Sequence, residues 1–217
     1  MADDTTLEGR LVTALAKIGL ATKTRDWHEA GAAGLTPTQG QALALLRTRA
    51  PLRLAAVAEA LGITRPTASA AVATLVRKGL VAKRRAADDG RAVALTLSTR
   101  GARAAAEAAT WPDFLLAAIA PLSTAERTVL YRALVKIIRT LQVAGEIAPA
   151  RMCVSCRYFL ADAHPGTARP HHCAFVDAAF AGADLRLDCP DHEAASAAEA
   201  ERAWERFVAV GEPLTDV

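Results

Sequence analysis

The chain has 217 residues, enough for one medium domain or two small ones. Hydrophobic residues make up 52 % and charged residues 23 %, which supplies a core and excludes bulk disorder. The net charge of +3 hides an asymmetry: residues 1–145 carry 20 Lys+Arg against 11 Asp+Glu, and residues 146–217 carry 6 against 12. All four cysteines lie between Cys153 and Cys189. No apolar run of about 18 residues is present, so neither a membrane span nor a membrane partner is expected. The acidic start Met1-Ala2-Asp3-Asp4 lacks the basic region and apolar stretch of an export signal. A cytoplasmic, reducing location is therefore expected. Clustered thiols there bind metal or do redox chemistry more often than they form structural disulfides.

The first predicted helix runs from about Leu7 to Glu29, with Leu11, Leu15 and Ile18 at helical spacing, and breaks at Gly31 to Gly34. Thr36-Pro37-Thr38-Gln39 reads as a capping box with proline in the first turn, opening a helix that stops before Pro51. A short helix over Arg53 to Ala60 ends at Gly62, which supplies a turn with positive φ. Thr64 caps the next helix, which runs to about Lys78 and buries Ala68, Ala71, Val72 and Leu75. Two helices joined by so short a glycine-containing turn form a helix-turn-helix.

After Gly79 the period changes to that of strands, over Leu80 to Arg84 and Ala92 to Leu97, around a charged turn. A hairpin in this position is a wing. Ser98 caps a helix interrupted at Pro112 and Pro121, and Ser123-Thr124-Ala125-Glu126 opens a long helix with Val129, Leu130, Leu134, Ile137, Ile138 and Leu141 on a broad apolar stripe. The domain boundary is placed at 145/146. Beyond it helical periodicity lapses until Ser196, whose box with Glu199 opens a last helix carrying Trp204, Phe207 and Val208. The fold class is thus mainly α with a small β-hairpin wing.

This arrangement suits double-stranded DNA: the second helix enters the major groove and the wing touches the flanking backbone. From Arg77 to Arg103 there are eight basic residues against two acidic ones, where phosphate neutralisation needs them. Arg65, Thr67, Ser69, Ala70 and Thr74 occupy groove-facing positions, with Arg65 the candidate for a bidentate guanine contact. Arg84, Arg85, Asp89 and Arg91 belong to the wing. Trp27 and His28 end the first helix and read as a partly buried aromatic and a surface histidine. No Ser-His-Asp arrangement, phosphate-cradling glycine loop or paired catalytic carboxylates are apparent, so the chain is not expected to be an enzyme.

Residues 7–142 resemble the MarR family of winged helix-turn-helix regulators. The motifs are Leu54-x-x-Val57-Ala58-x-x-Leu61-Gly62-Ile63, Leu75-Val76-Arg77-Lys78-Gly79-Leu80-Val81 and Asp89-Gly90-Arg91-Ala92-Val93-x-Leu95-x-Leu97-Ser98-x-x-Gly101. The resemblance implies a homodimer formed by the first helix and the last long one, bound to an inverted-repeat operator. In the implied wing motif Arg91 enters the minor groove and Asp89 steadies a basic neighbour. Ala70 and Thr74 depart from the family, which often has basic residues there. The resemblance also leaves room for a small-molecule effector, bound in the family between the dimer and DNA-binding lobes.

The cysteines have the spacing C-x2-C-x16-C-x15-C: Cys153, Cys156, Cys173 and Cys189. Four thiolates can close a zinc site or hold an iron–sulfur cluster of either the 4Fe-4S or the 2Fe-2S kind. The close pair followed by single cysteines, with Tyr158, Phe159 and Phe175 nearby, resembles high-potential iron–sulfur proteins. A lobe this small cannot build a sufficient core unaided, so a metal-stapled lobe over 146–217 is expected, with an iron–sulfur cluster preferred to zinc and with DNA affinity set by redox, oxygen or iron. His171, His172 or His192 replacing a cysteine is the variant of that expectation. A structural zinc with a small aromatic effector, and an electron-transfer protein, are the alternatives.

Overall fold

A computed structural model describes residues 5–85 and 93–209. The chain forms two compact units, Met1–Ala118 and Ile119–Val217. Among the described residues no helix is long and apolar enough to cross a membrane.

In the first unit α1 (Leu7–Ala32) is capped by Thr6, whose side chain accepts the Gly9 N–H at 3.1 Å. It extends past the expected end at Glu29, and the chain reverses at Gly34, φ +64°. α2 (Pro37–Arg49) carries the predicted capping box: Gln39 N–H donates to Thr36 Oγ1 at 3.3 Å and Thr36 N–H to Gln39 Oε1 at 3.4 Å. α3 (Leu54–Ala60) and α4 (Arg65–Arg77) follow, joined through Gly62 at φ +61°. Left-handed backbone of this kind is cheap only for glycine.

The wing strands are β2 (Val81–Arg85) and β3 (Val93–Leu97), paired antiparallel with Lys83 opposite Leu95. A third strand, β1 (Leu52–Arg53), pairs with β3 and gives the sheet order β1-β3-β2. α5 (Thr99–Ala108) starts at Ser98. The core between these elements comprises Leu43, Leu46, Val57, Val72, Leu75, Leu95 and their neighbours, all buried. Each such side chain stabilises the fold by about 1.5–3 kcal/mol. A smaller cluster sets Ala30 of α1 and Ala108 of α5 against Trp111.

One contact fixes the junction of α4, wing and α5. Gly79 turns at φ +67°. Ser98 donates its N–H to the Leu80 carbonyl at 3.0 Å and its hydroxyl to the Gly79 carbonyl at 2.7 Å, while accepting the Gly101 N–H at 2.9 Å. Gly101 lies so close that a Cβ there would sit 1.8 Å from the Leu80 oxygen.

The second unit is built on α7 (Thr124–Val143) and α8 (Ala197–Ala209), with a small antiparallel sheet β4 (Phe159–Leu160), β5 (His171–Cys173) and β6 (Ala178–Phe180) in that order. α6 (Phe114–Ile119) precedes α7. The core of this unit joins Val135 of α7, Met152, Val154, Phe159, Ala161, Leu185 and Phe207 of α8, with Tyr131, Ile138 and Phe180 packed against it. Arg132 Nη2 donates to the Phe207 carbonyl at 2.6 Å, and its guanidinium lies over the Phe207 ring. The expected metal-stapled lobe is corrected here. The expectation assumed that residues 146–217 are too small to make a core; α7 contributes one face to them, and an apolar core holds the unit together.

Ser123 donates its N–H and its hydroxyl to Glu126 Oε2, each at 2.8 Å. Both bonds favour the carboxylate and hold Glu126 below the ordinary glutamate value of 4.5. Glu199 is lowered in the same way by Ser196. A folded-state pKa below the unfolded one gives stability that is complete above the unfolded value and lost as pH falls through the folded value. Glu126→Gln keeps a capping side chain without the charge, so urea denaturation should show a shallower loss of stability below about pH 4.5 than in the parent. Gly101→Ala should destabilise the first unit by about 3 kcal/mol, read by chemical denaturation. Gly19→Ala on α1, where a Cβ meets nothing within 4 Å, should be neutral or stabilising by up to about 1 kcal/mol.

Candidate functional site

The exposed face of α4 is set by its cap and its buried stripe. Thr64 accepts the Thr67 N–H at 3.3 Å, and Pro66 sits in the first turn. Ala68, Ala71, Val72 and Leu75 face the core as the spacing predicts. Arg65, Thr67, Ser69 and Ala70 are exposed, and Thr74 is half-buried. Two of the hydroxyls have local partners. Thr67 Oγ1 shares a hydrogen bond with Thr64 Oγ1 at 2.8 Å, and Thr74 Oγ1 accepts from Arg77 Nη2 at 3.0 Å.

Arg84 and Arg85 are exposed at the end of β2 where the hairpin leaves the core. Lys83 is exposed on the same strand and joins them. The basic run from Arg77 to Arg103 contains this signal. Asp89 and Arg91 lie outside the described residues. Arg100 and Arg103 are exposed on the early turns of α5. They line a second feature of this unit, a cavity of about 480 Å³ bounded also by Leu35, Lys78, Leu80 and Trp111. Lys78 reaches from the end of α4 to the Gly34 carbonyl and lies 3.4 Å from Gln39 Oε1. Trp27, expected to be partly buried, is instead 59 % exposed.

The expected metal centre is not found. Among the described residues no group of three or more His, Cys, Asp or Glu side chains is arranged to hold a metal ion. This overturns the iron–sulfur cluster, 4Fe-4S or 2Fe-2S, the zinc alternative, and the sensing of redox, oxygen or iron assigned to them. Cys153, Cys156, Cys173 and Cys189 are free thiols, dispersed around the wall of a cavity of about 180 Å³. Burial pushes the Cys153 thiol up, opposed by the Arg186 N–H that it accepts at 3.2 Å.

The histidines offered as replacement ligands have other roles. His171 is buried among Phe159, Phe180 and Phe207, and its Nδ1 accepts the Asp162 N–H at 3.3 Å. His172 lies between His164 and Asp177, at 3.2 and 3.1 Å. His192 Nε2 is 3.1 Å from Ser155 Oγ, and burial holds its pKa below the ordinary value. The resemblance to high-potential iron–sulfur proteins therefore fails at the geometry of the donors. The aromatic residues near the cysteines serve an apolar core and a cavity wall.

The MarR family model matches residues 33–92, from the end of α1 into the wing hairpin. No curated protein matches the chain. Among solved structures, a complex of S. aureus MepR with DNA aligns with a TM-score of 0.54 at 23 % identity, covering 64 % of this chain and 99 % of that one. The transcriptional regulator SlyA aligns at 0.51 and 18 %, covering 63 % and 96 %. The reduced form of MarR from E. coli aligns at 0.50 and 19 %, covering 58 % and 95 %. The aligned part of the chain, 58–64 % of it, thus has the winged helix-turn-helix fold of these structures, and residues 33–92 match the MarR family model.

Proposed function

We propose that the chain is a transcriptional regulator that binds an inverted-repeat operator in double-stranded DNA as a homodimer. The observation that carries this reading is the exposed face of α4 beside the exposed basic strand Lys83–Arg85, on a fold shared with a protein solved in complex with DNA. It is a regulator and not an enzyme, in agreement with the family match and the fold. It works in the cytoplasm, where its DNA is.

Arg65, at the exposed start of α4, has the reach and the planar fork for a guanine edge. Ser69 and the Ala70 methyl face the same groove, with Thr67 and Thr74 at its margins. Ala70 suits a thymine methyl better than a phosphate. Arg84 and Arg85 neutralise phosphates, and the family resemblance assigns Arg91 to the minor groove and Asp89 to steadying a basic neighbour. The contacts thus divide into base readout on the helix and backbone positioning on the wing.

The second copy of the chain covers apolar surface that one copy leaves open. Leu11, Leu15 and Ile18 of α1 and Leu130, Ile137 and Leu141 of α7 are between 38 % and 54 % exposed. Residues 1–145 make up the DNA-binding and dimerising part on this reading, and 146–217 the extension. α7 then serves twice, since its neighbouring face lies in the core of the second unit. The cavity beside Trp111, with Lys78, Arg100 and Arg103 around it, suits a small aromatic anion as effector.

Selection from a random duplex library should yield an inverted repeat, with affinity falling steeply as salt rises. Arg65→Ala should weaken binding to that sequence by about 1–3 kcal/mol and relax preference at one base pair in each half-site. Arg84→Ala should weaken all duplexes alike and reduce the salt slope by about one. No salt-dependent duplex binding at all would end this reading. Separately, Leu130→Glu with Ile137→Glu should turn a dimer into a monomer in sedimentation, and unchanged mass would place the dimer contact elsewhere.

A further inference from the structure

The second unit holds a cavity of about 180 Å³ that DNA binding does not use. The rings of Tyr158, Phe159, Phe175 and Phe180 line it together with the four thiols. Phe159 and Phe180 lie 6.0 Å apart, and Phe159 also stands edge-on to Phe207 of α8 at 6.3 Å. This side of the cavity is therefore part of the apolar core and is held in shape by it. Tyr158 and Phe175 form a second tilted pair at 5.3 Å. Phe175 and Val176 are 51 % and 61 % exposed, which gives the cavity an apolar rim and a way in.

The polar groups along this wall have partners inside the protein or in water. The Tyr158 hydroxyl donates to Glu193 Oε1 at 2.8 Å, and Asp184 Oδ2 accepts the Ala181 N–H at 3.0 Å. Arg186 donates its N–H to Cys153 Sγ at 3.2 Å and its guanidinium to Cys189 Sγ at 3.9 Å. Asp191 is exposed at the rim. A thiol is a small hydrophobe with a weak donor, and burial keeps Cys153 in that form by pushing its pKa up. A polar group entering here gives up its water and must displace one of these bonds to be paired again. A hydrocarbon ring pays no such penalty and gains by leaving water. An aromatic ring gains further from wall rings it can meet edge-on or tilted. The size agrees, since an apolar cavity of about 150 Å³ takes up benzene.

We propose that this cavity is a binding site for a small uncharged aromatic hydrocarbon of one ring, held reversibly and with no covalent step. The rings of Phe159 and Phe180 form its fixed wall, and Phe175 closes over the occupant at the rim. The ligand differs in class from the anion suited to the cavity beside Trp111, where Lys78, Arg100 and Arg103 supply cations. The site stands or falls independently of operator binding.

The probe is fluorobenzene, titrated into the full-length, reduced chain and followed by fluorine NMR. The expected result is one saturable site per chain, from which benzene displaces the probe. Phenol should compete about tenfold less well than benzene, because its hydroxyl is buried without a partner. The four thiols share the wall, so fluorobenzene at about ten times its Kd should slow iodoacetamide labelling of all four by about tenfold. Phe175→Ala removes a half-exposed ring from the rim, outside the core, and should weaken binding by about tenfold. Leu160→Ala, 47 % exposed on β4 and outside the lining, should leave binding unchanged. Absence of saturable binding, phenol competing as well as benzene, thiols left unprotected at saturation, or an affinity unaltered by Phe175→Ala would each overturn the proposal.

Discussion

The orientation of the wing against α4 depends on a contact that has no room for a side chain. The Leu80 carbonyl lies against Gly101, and Ser98 bonds to both Gly79 and Leu80. The end of α4, the start of β2, the end of β3 and the start of α5 therefore meet within a few ångströms. Neither strand of the wing can tilt against α4 without breaking one of these bonds or driving the Leu80 oxygen into α5. The basic side chains of β2 and the exposed residues of α4 keep a fixed spacing for this reason, and fixed spacing is what a groove with a flanking backbone selects. Serine and glycine here do the work that hydrophobic packing does elsewhere in the unit.

The legible parts of the sequence were those whose physics is local. A cap acts over three residues, so Thr36 with Gln39, Ser123 with Glu126 and Ser196 with Glu199 could be read directly and stand in the structure. The buried face of α4 follows from its period in the same way. What could not be read depends on partners far along the chain. β1 is two residues long and carries no alternation, and only its pairing with β3 makes it a strand. The three short strands of the second unit are hidden for the same reason.

The cysteine pattern shows where spacing stops being informative. Four thiols in such a sequence are compatible with a cluster, a zinc site or free thiols, because spacing does not say whether the sulfurs converge. The premise that favoured a staple was a lobe without a core. It fails because α7, one broad apolar stripe in the sequence, presents two faces in the structure. Tyr131, Val135 and Ile138 lie on a different face from Leu130, Ile137 and Leu141, and the first set builds the second unit. A stripe as broad as this one is two narrower stripes with two customers, and hydrophobic periodicity alone does not separate them.

The apolar side chains left outside on α1 and α7 have a thermodynamic consequence. When copies of the chain cover them, the folded form is drawn off by association and the unfolded form is not. Its melting temperature then rises with its own concentration, as mass action requires. On the proposed dimer the same chain is less robust when it is scarce, and its folding equilibrium reports on its abundance before any ligand is considered.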